Sequence, residues 1–267
     1  MIHQQDDLYY LSFLSFDRTK AVNHGFSTRL GGYSKDIYTS LNLGLRSGDK
    51  LEDVYLNYKK ICKALDIDSE DLVHSDQIHE SHIYCVTQED KGKGFYKDSN
   101  IKGIDGLITN EPKVPLITFY ADCVPLYFLD PVQKVIGLAH AGWRGTVLKI
   151  AAKMIHKFTS VYKSDPKNIL VGIGPSIGSC CFEVDESVAH AFQKQFEGDD
   201  WIQTLKNGKY KIDLWKVNQQ ILLESDIIEE HISIMGLCTM CHKDIFFSHR
   251  GHKGRRGSLG AIMELRD

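Results

Sequence analysis

The sequence predicts an α+β fold: a single compact domain over residues 1–267, with mixed β-sheets flanked by helices. Three observations carry this reading. At 267 residues and 42% apolar content, the chain is long enough to bury a sizeable core. No repeat, low-complexity tract or Pro/Gly/Ser-rich linker separates two halves. Strand-like and helix-like patterns are interspersed without regular β-α alternation, which favours mixed sheets over a doubly wound parallel one.

The elements follow in order. Tyr9–Phe16 and His24–Thr28 read as short strands, with a turn at Gly31-Gly32 after them. Residues 52–65 read as a helix, because Val54, Tyr58, Ile61 and Leu65 recur at helical spacing and Asp49 with Glu52 forms a capping-box pattern. Asp71–Val86 and Gly106–Ile108 are strand-like, separated by a Gly/Lys loop at 91–94. Leu116–Tyr120 and Val135–Ala139 read as buried strands bounded by Pro115 and the Asp130-Pro131 turn. A helix then runs through Phe158, with Val147, Ile150, Ala151, Met154 and Phe158 on one face. Ile169–Ile173 is a strand ended by Gly174-Pro175, and helices are expected at 185–197 and 213–224, the second capped by Asp213. Ile232–Leu237 and Ile245–Ser248 read as strands before a basic, Gly-rich tail at His249–Gly257.

A net charge of -3 provides no general field for nucleic acid or an anionic membrane, so neither is expected as a partner. The longest apolar run, Val114–Leu129, is broken by Pro115, Asp122 and Pro125 and does not read as a membrane span. Met1–Asp7 lacks the basic and apolar regions of a signal peptide. Seven cysteines, an odd number, suit reduced thiols in a cytoplasm, the expected location. Cys180-Cys181 reads as structural, and Cys238-Thr-Met-Cys241-His242 has the spacing of a haem-attachment or redox motif, although covalent haem requires export, which no feature here supports. The oligomeric state is open.

Chemistry concentrates in three segments: Gln77-Ile-His79, Ala121-Asp-Cys123-Val-Pro125 and Ala139-His140-Ala-Gly-Trp-Arg144. Each places a soft or borderline ligand near the end of an expected strand. A catalytic zinc takes three protein ligands and leaves a position open, and one Cys with two His fits that count. The same residues allow two alternatives. Cys123 with His140 as its base is the arrangement of a metal-free cysteine hydrolase. A copper-binding redox protein would use the same donors. Two histidines exceed the needs of a dyad, which favours metal. Multicopper oxidation needs several clustered imidazoles, and the 12 His include no His-x-His pair.

Seven phrases occur in one characteristic order: Phe26-Ser-Thr-Arg29, Ser40-Leu-Asn-Leu-Gly44, Gln77-Ile-His79, Ala121-Asp-Cys123, His140-Ala-Gly-Trp-Arg-Gly145, Ile173-Gly-Pro-Ser-Ile-Gly178 and Phe246-Phe-Ser-His-Arg250. From Phe26 to Ile262 the chain resembles the family long labelled multicopper polyphenol oxidase or laccase-domain proteins, and now purine nucleoside phosphorylases. The resemblance implies zinc held at His79, Cys123 and His140, an α+β fold, and action on adenosine, inosine and methylthioadenosine. It associates both phosphorolysis and adenosine deamination with the site. Glu80 stands where the family commonly has Gly, and Phe182 where Tyr is frequent; neither is a ligand.

Further site residues follow from these blocks. The catalytic set is Cys123, His140 and Asp122, although strand geometry would turn Asp122 away from the metal face. Gly142-Trp-Arg-Gly-Thr146, between a strand and a helix start, suits an anion, with Arg144 adding a bidentate contact. Arg29 and Asn42 lie in family-matching loops as candidate contacts to phosphate, ribose or base. Gln77 would share a strand face with His79 and either contact substrate or orient the ring. Arg250, Arg255 and Arg256 form a basic cluster for which a solvated run and a phosphate role are both open.

Overall fold

The computed structural model describes residues 1–267. Two six-stranded mixed sheets form the centre. The first runs in the order Ile2–Gln5, Leu8–Leu11, Val22–Ser27, Leu259–Leu265, Leu116–Tyr120 and Val73–His74. The second runs in the order Ile232–Ile234, Leu170–Ile173, Val124–Asp130, Val135–Ala141, Gly106–Thr109 and Ile83–Cys85.

Side-chain alternation shows how the layers stack. Leu116, Tyr120, Ala261 and Met263 from the first sheet share a core with Tyr127, Leu129, Ile136 and Leu138 from the second. Ile117 and Ile262 point the other way, onto Val54, Tyr58, Ile61 and Leu65 of the Leu51–Leu65 helix. On the far side, Leu126, Phe128 and Val135 pack against Ile150, Met154 and Phe158 of the Ile150–Tyr162 helix and Val217 and Ile221 of the Leu214–Leu223 helix. The fold is thus helix, sheet, sheet, helices. Strands covered on both faces bury every residue, as Val124–Asp130, Val135–Ala141 and Leu259–Leu265 do.

That double burial explains two omissions from the sequence reading. Val124–Asp130 and Leu259–Leu265 are central strands with no alternation of apolar and polar residues to mark them. A small sheet of Glu183–Val184, Tyr210–Ile212 and Ile202–Thr204 is also unforeseen.

Other boundaries change. The strand expected over Tyr9–Phe16 stops at Leu11 and gives way to a helical turn, Leu14–Asp17. Asp71–Val86 contains only the short strands Val73–His74 and Ile83–Cys85, and Ile232–Leu237 shortens to Ile232–Ile234. Ile245–Ser248 is not a strand but part of a turn-rich connection. The helix after His140 is broken into Trp143–Val147 and Ile150–Tyr162 by Lys149 in the left-handed region at φ 55. The Asp49–Glu52 capping box does not form: Lys50 is the N-cap, and Asp49 accepts from the Lys50 amide and from Asn42. Asp213 caps as expected, accepting from the amides of Trp215 and Lys216.

Candidate metal centre and cleft

The chain crosses from the first sheet to the second between Tyr120 and Val124, and Cys123 lies on that crossing. The next strand folds back antiparallel and sets His140 opposite Pro125. His79 arrives from the loop beyond Val73–His74. Ligand atoms of His79, Cys123 and His140 lie within 4.8 Å of one another. The three sequence-predicted ligands therefore converge. His140 is buried, whereas His79 is exposed to the cleft, so the cluster is closed behind and open in front.

One residue outside the sequence reading holds this arrangement. The wholly buried Asp105 carboxylate accepts the His140 ring N–H at 2.7 Å, because an ionised carboxylate can only accept. This makes Nδ1 the protonated nitrogen and leaves Nε2 for Cys123 and a metal. Asp105 also accepts the amides of Ile78, His79 and Glu80 at 3.2, 3.0 and 2.8 Å. These bonds hold His79 in the left-handed region at φ 65, a conformation a non-glycine residue keeps only when its surroundings enforce it. Gly142 completes the packing: a Cβ there would meet His79 Cδ2 at 3.1 Å and Cys123 Sγ at 3.2 Å.

Electrostatics favour the thiolate. Burial opposes ionisation of Cys123, but the charge of His140 and hydrogen bonds from His140 and His79 outweigh it and bring the thiol down to about 6. Burial likewise works against a charged His140, yet Cys123 and Asp105 raise it to about 9. Asp105 is held low despite its burial by His140 and the loop amides. A thiolate beside an imidazole oriented by a carboxylate, with a second imidazole facing it, is a donor set suited to zinc.

The cluster forms the floor of a cleft of about 720 Å³. Phe119, Tyr120, Trp143, Ile177 and Phe182 provide apolar wall, and Arg46, Lys102, Arg250 and Arg256 provide positive charge. Arg256 donates to Gly257 O and Ser258 Oγ, while its buried Nε has no partner. Burial lowers its pKa, against the pull of Asp122 and Cys123.

The other expected contacts are redistributed. Asp122 borders the cleft, but its carboxylate accepts from Thr239 Oγ1 and the Arg250 amide, each at 2.7 Å, so it braces the wall. Gln77 faces the cleft without orienting His79: its amide pairs with both backbone groups of Phe119. Asn42 is a correction. It is fully buried and bonded to Ser47, Asp49, Gly44 and Ser258, leaving nothing for substrate. Arg29 is another, tying Thr39 O, Lys243 O and His252 together over the Phe247 ring, outside the cleft. Arg144 is exposed, its guanidinium 4.4 Å from the Trp143 ring centroid, and it too lies outside the cleft lining. The cationic wall comes instead from the tail: Arg256 is half-buried against the cleft, and the exposed Arg250 borders it with its guanidinium donating to Glu183 O. The signal for Asp105 was its place between Gly103 and Gly106 beside an apolar strand, where a carboxylate is buried only if paired.

A family model described as multi-copper polyphenol oxidoreductase laccase matches residues 23–266. The chain belongs to this family. Among its relatives, Purine nucleoside phosphorylase YlmD of Bacillus subtilis is 39% identical over 251 residues, covering 93% of this chain and 90% of its own length. A purine nucleoside phosphorylase of Bacteroides thetaiotaomicron is 33% identical, with 94% of each chain covered. The crystal structure of YlmD from Geobacillus stearothermophilus superposes with a TM-score of 0.92 at 34% identity, over 100% of this chain and 99% of that one. The family's laccase-like fold is therefore shared along the full length. No helix is long and apolar enough to cross a membrane.

Proposed function

We propose that the chain is a zinc-dependent purine nucleoside phosphorylase acting on adenosine, inosine and S-methyl-5′-thioadenosine, with adenosine deamination as a companion reaction. The observation that carries the proposal is the meeting in one cleft of the His79, Cys123 and His140 donors with Arg256, whose buried Nε lacks a partner. The relatives' names support the reaction class. His79, Cys123 and His140 would hold the zinc, which when bound supplies a Lewis acid to the cleft.

The chain's own groups account for the rest. Arg256, with Arg250 and His249 beside it, supplies donors and positive charge for inorganic phosphate. Phe119, Trp143 and Phe182 offer flat apolar surfaces to a purine and restrict water around the sugar. Orientation then converts a two-substrate encounter into attack within one complex. A phosphate oxygen bonds to C1′, the C1′–N9 bond breaks with its electron pair on the base, and the base takes a proton as it leaves. In the companion reaction, water replaces the amino group at C6 and ammonia is released.

A second reading has its own observation: Cys123, His140 and Asp105 line up as a nucleophile, its base and an orienting carboxylate. A second imidazole on the same thiol favours the metal reading. Copper electron transfer has the right Cys and His donors, but no methionine lines the cleft to serve as an axial ligand.

The test is base release from adenosine with and without phosphate, together with elemental analysis of protein purified without a metal-affinity tag. Adenine and ribose 1-phosphate should form only with phosphate, and His79→Ala, Cys123→Ala and His140→Ala should each lower zinc and abolish turnover. Full zinc retention in Cys123→Ala would remove that residue from the shell. A metal-free protein with an alkylation-sensitive hydrolysis would replace this reading by the cysteine hydrolase.

A further inference from the structure

A second cluster of soft ligands lies apart from the catalytic donors. Its origin is topological. Leu170–Ile173 and Ile232–Ile234 are parallel neighbours, registered Ile173 to Ile234. Beyond their ends, the two chains stay together through a bridge between Ser176 and Cys238. The loop after the first strand carries Cys180 and Cys181, and the loop after the second carries Cys238 and Cys241. One sulfur from each of the four lies within 4.8 Å of every other.

We propose that Cys180, Cys181, Cys238 and Cys241 form a tetrathiolate site for a single structural zinc ion. Four sulfurs at about 2.3 Å from a tetrahedral zinc stand about 3.8 Å from one another. Cys241 Sγ lies 3.5 Å from both Cys180 Sγ and Cys181 Sγ, close to that edge length. Equal approach to two sulfurs differs from the single short pairing of a disulfide, and all four cysteines are free thiols. The sulfurs are too closely grouped for a multi-iron cluster, whose ligands bind separate iron atoms. The Cys-x-x-Cys spacing of 238–241 is that of one half of a zinc knuckle. Backbone N–H groups already point at its sulfur: Gly178 donates to Cys238 Sγ at 3.3 Å. Such bonds stabilise the thiolate and orient it as a ligand.

The site would also fix part of the cleft. Thr239, between the paired cysteines, donates to Asp122, whose other oxygen holds the Arg250 amide. On the opposite loop, Ile177 lines the cleft and its amide donates to Asp122 O. Zinc would join two loops that otherwise meet through a few hydrogen bonds. This site does not depend on the proposed reaction.

X-ray absorption at the zinc edge, on the full chain carrying His79→Ala and Cys123→Ala, isolates this site from the cleft donors. The expected result is one zinc per chain with an all-sulfur shell at about 2.3 Å. Stepwise titration with a mercurial should release that zinc as the four thiols react. Adding Cys180→Ser, at an exposed position, should weaken retention against a chelator at least tenfold while the far-ultraviolet spectrum stays unchanged. Four freely reactive thiols with no metal would overturn the proposal. So would a mass two hydrogens low, which marks a disulfide, or the visible thiolate absorption of iron. A zinc shell containing nitrogen would also overturn it.

Discussion

Asp105 receives four hydrogen bonds from two sides of the cleft: the amides of Ile78, His79 and Glu80, and the His140 ring. It joins His79 and His140, the two proposed imidazole ligands, which lie 61 positions apart in sequence, and this makes it a positioning residue. Asp105→Asn keeps the volume but turns one acceptor into a donor that faces other donors. Zinc affinity should fall about 10–100-fold, as for other carboxylates behind a ligating histidine. Competition with a chromophoric chelator measures this, and excess zinc should restore turnover if positioning is the role. Arg256 belongs to the same scale. Arg256→Ala should raise KM for phosphate about tenfold to a hundredfold, the worth of a charge-assisted bond, with KM for nucleoside nearly unchanged. Arg144→Ala, outside the cleft, should leave phosphate KM within about twofold by initial-rate kinetics, as expected of an exposed residue.

Elements succeed or fail by where their polar ends go. The Leu214–Leu223 helix starts at Asp213, whose carboxylate satisfies two amides that the helix leaves free. Asp213→Ala should cost about 1 kcal/mol. In a domain of this size that lowers Tm by about 2 °C, readable in a thermal melt. The cap was legible because it is local. The break at Lys149 was not, since Val147, Ile150, Ala151 and Met154 keep helical spacing across it. Both the Trp143–Val147 and Ile150–Tyr162 helices pack on the second sheet and on the Leu214–Leu223 helix, and the turn that lets both do so is a tertiary demand placed on one residue. Lys149 meets it in the left-handed region, with its ammonium beside Glu224 and over the Phe196 ring.

At the scale of the whole molecule, the central Leu259–Leu265 strand carries an ionisable side chain in its interior. Glu264 is 2% exposed. Burial raises its pKa from 4.5 to about 7; Lys113, Lys91 and Asn23 oppose this, and Asp71 adds to it. The folded state therefore binds this proton more tightly than the unfolded chain. Its contribution to stability is fully present below 4.5 and is lost as pH rises through about 7. Within that window, Glu264→Gln should remove a slope of up to about 1.4 kcal/mol per pH unit. Denaturant titrations at pH 5, 6, 7 and 8 check it, and a variant with the parent's slope would exclude Glu264 as the source.

By itself the sequence determined the α+β class and the amphipathic helices, and it singled out His79, Cys123 and His140, which the fold brings together. Zinc-type ligands are recognisable by side-chain chemistry, and a helix with one buried face announces itself by its period. Tertiary structure decided which groups serve those donors. Asp105 and His140 are separated by 35 positions, Asp122 and Thr239 by 117, and Asp122 and Arg250 by 128. No local pattern encodes such pairings; they exist because two sheets stack and bring distant loops to one edge. The same stacking hid the central strands, since burial on both faces erases the alternation by which a strand is read. It also drew Arg256 into the cleft wall and left Arg144 in solvent, a choice of direction that basic composition does not contain.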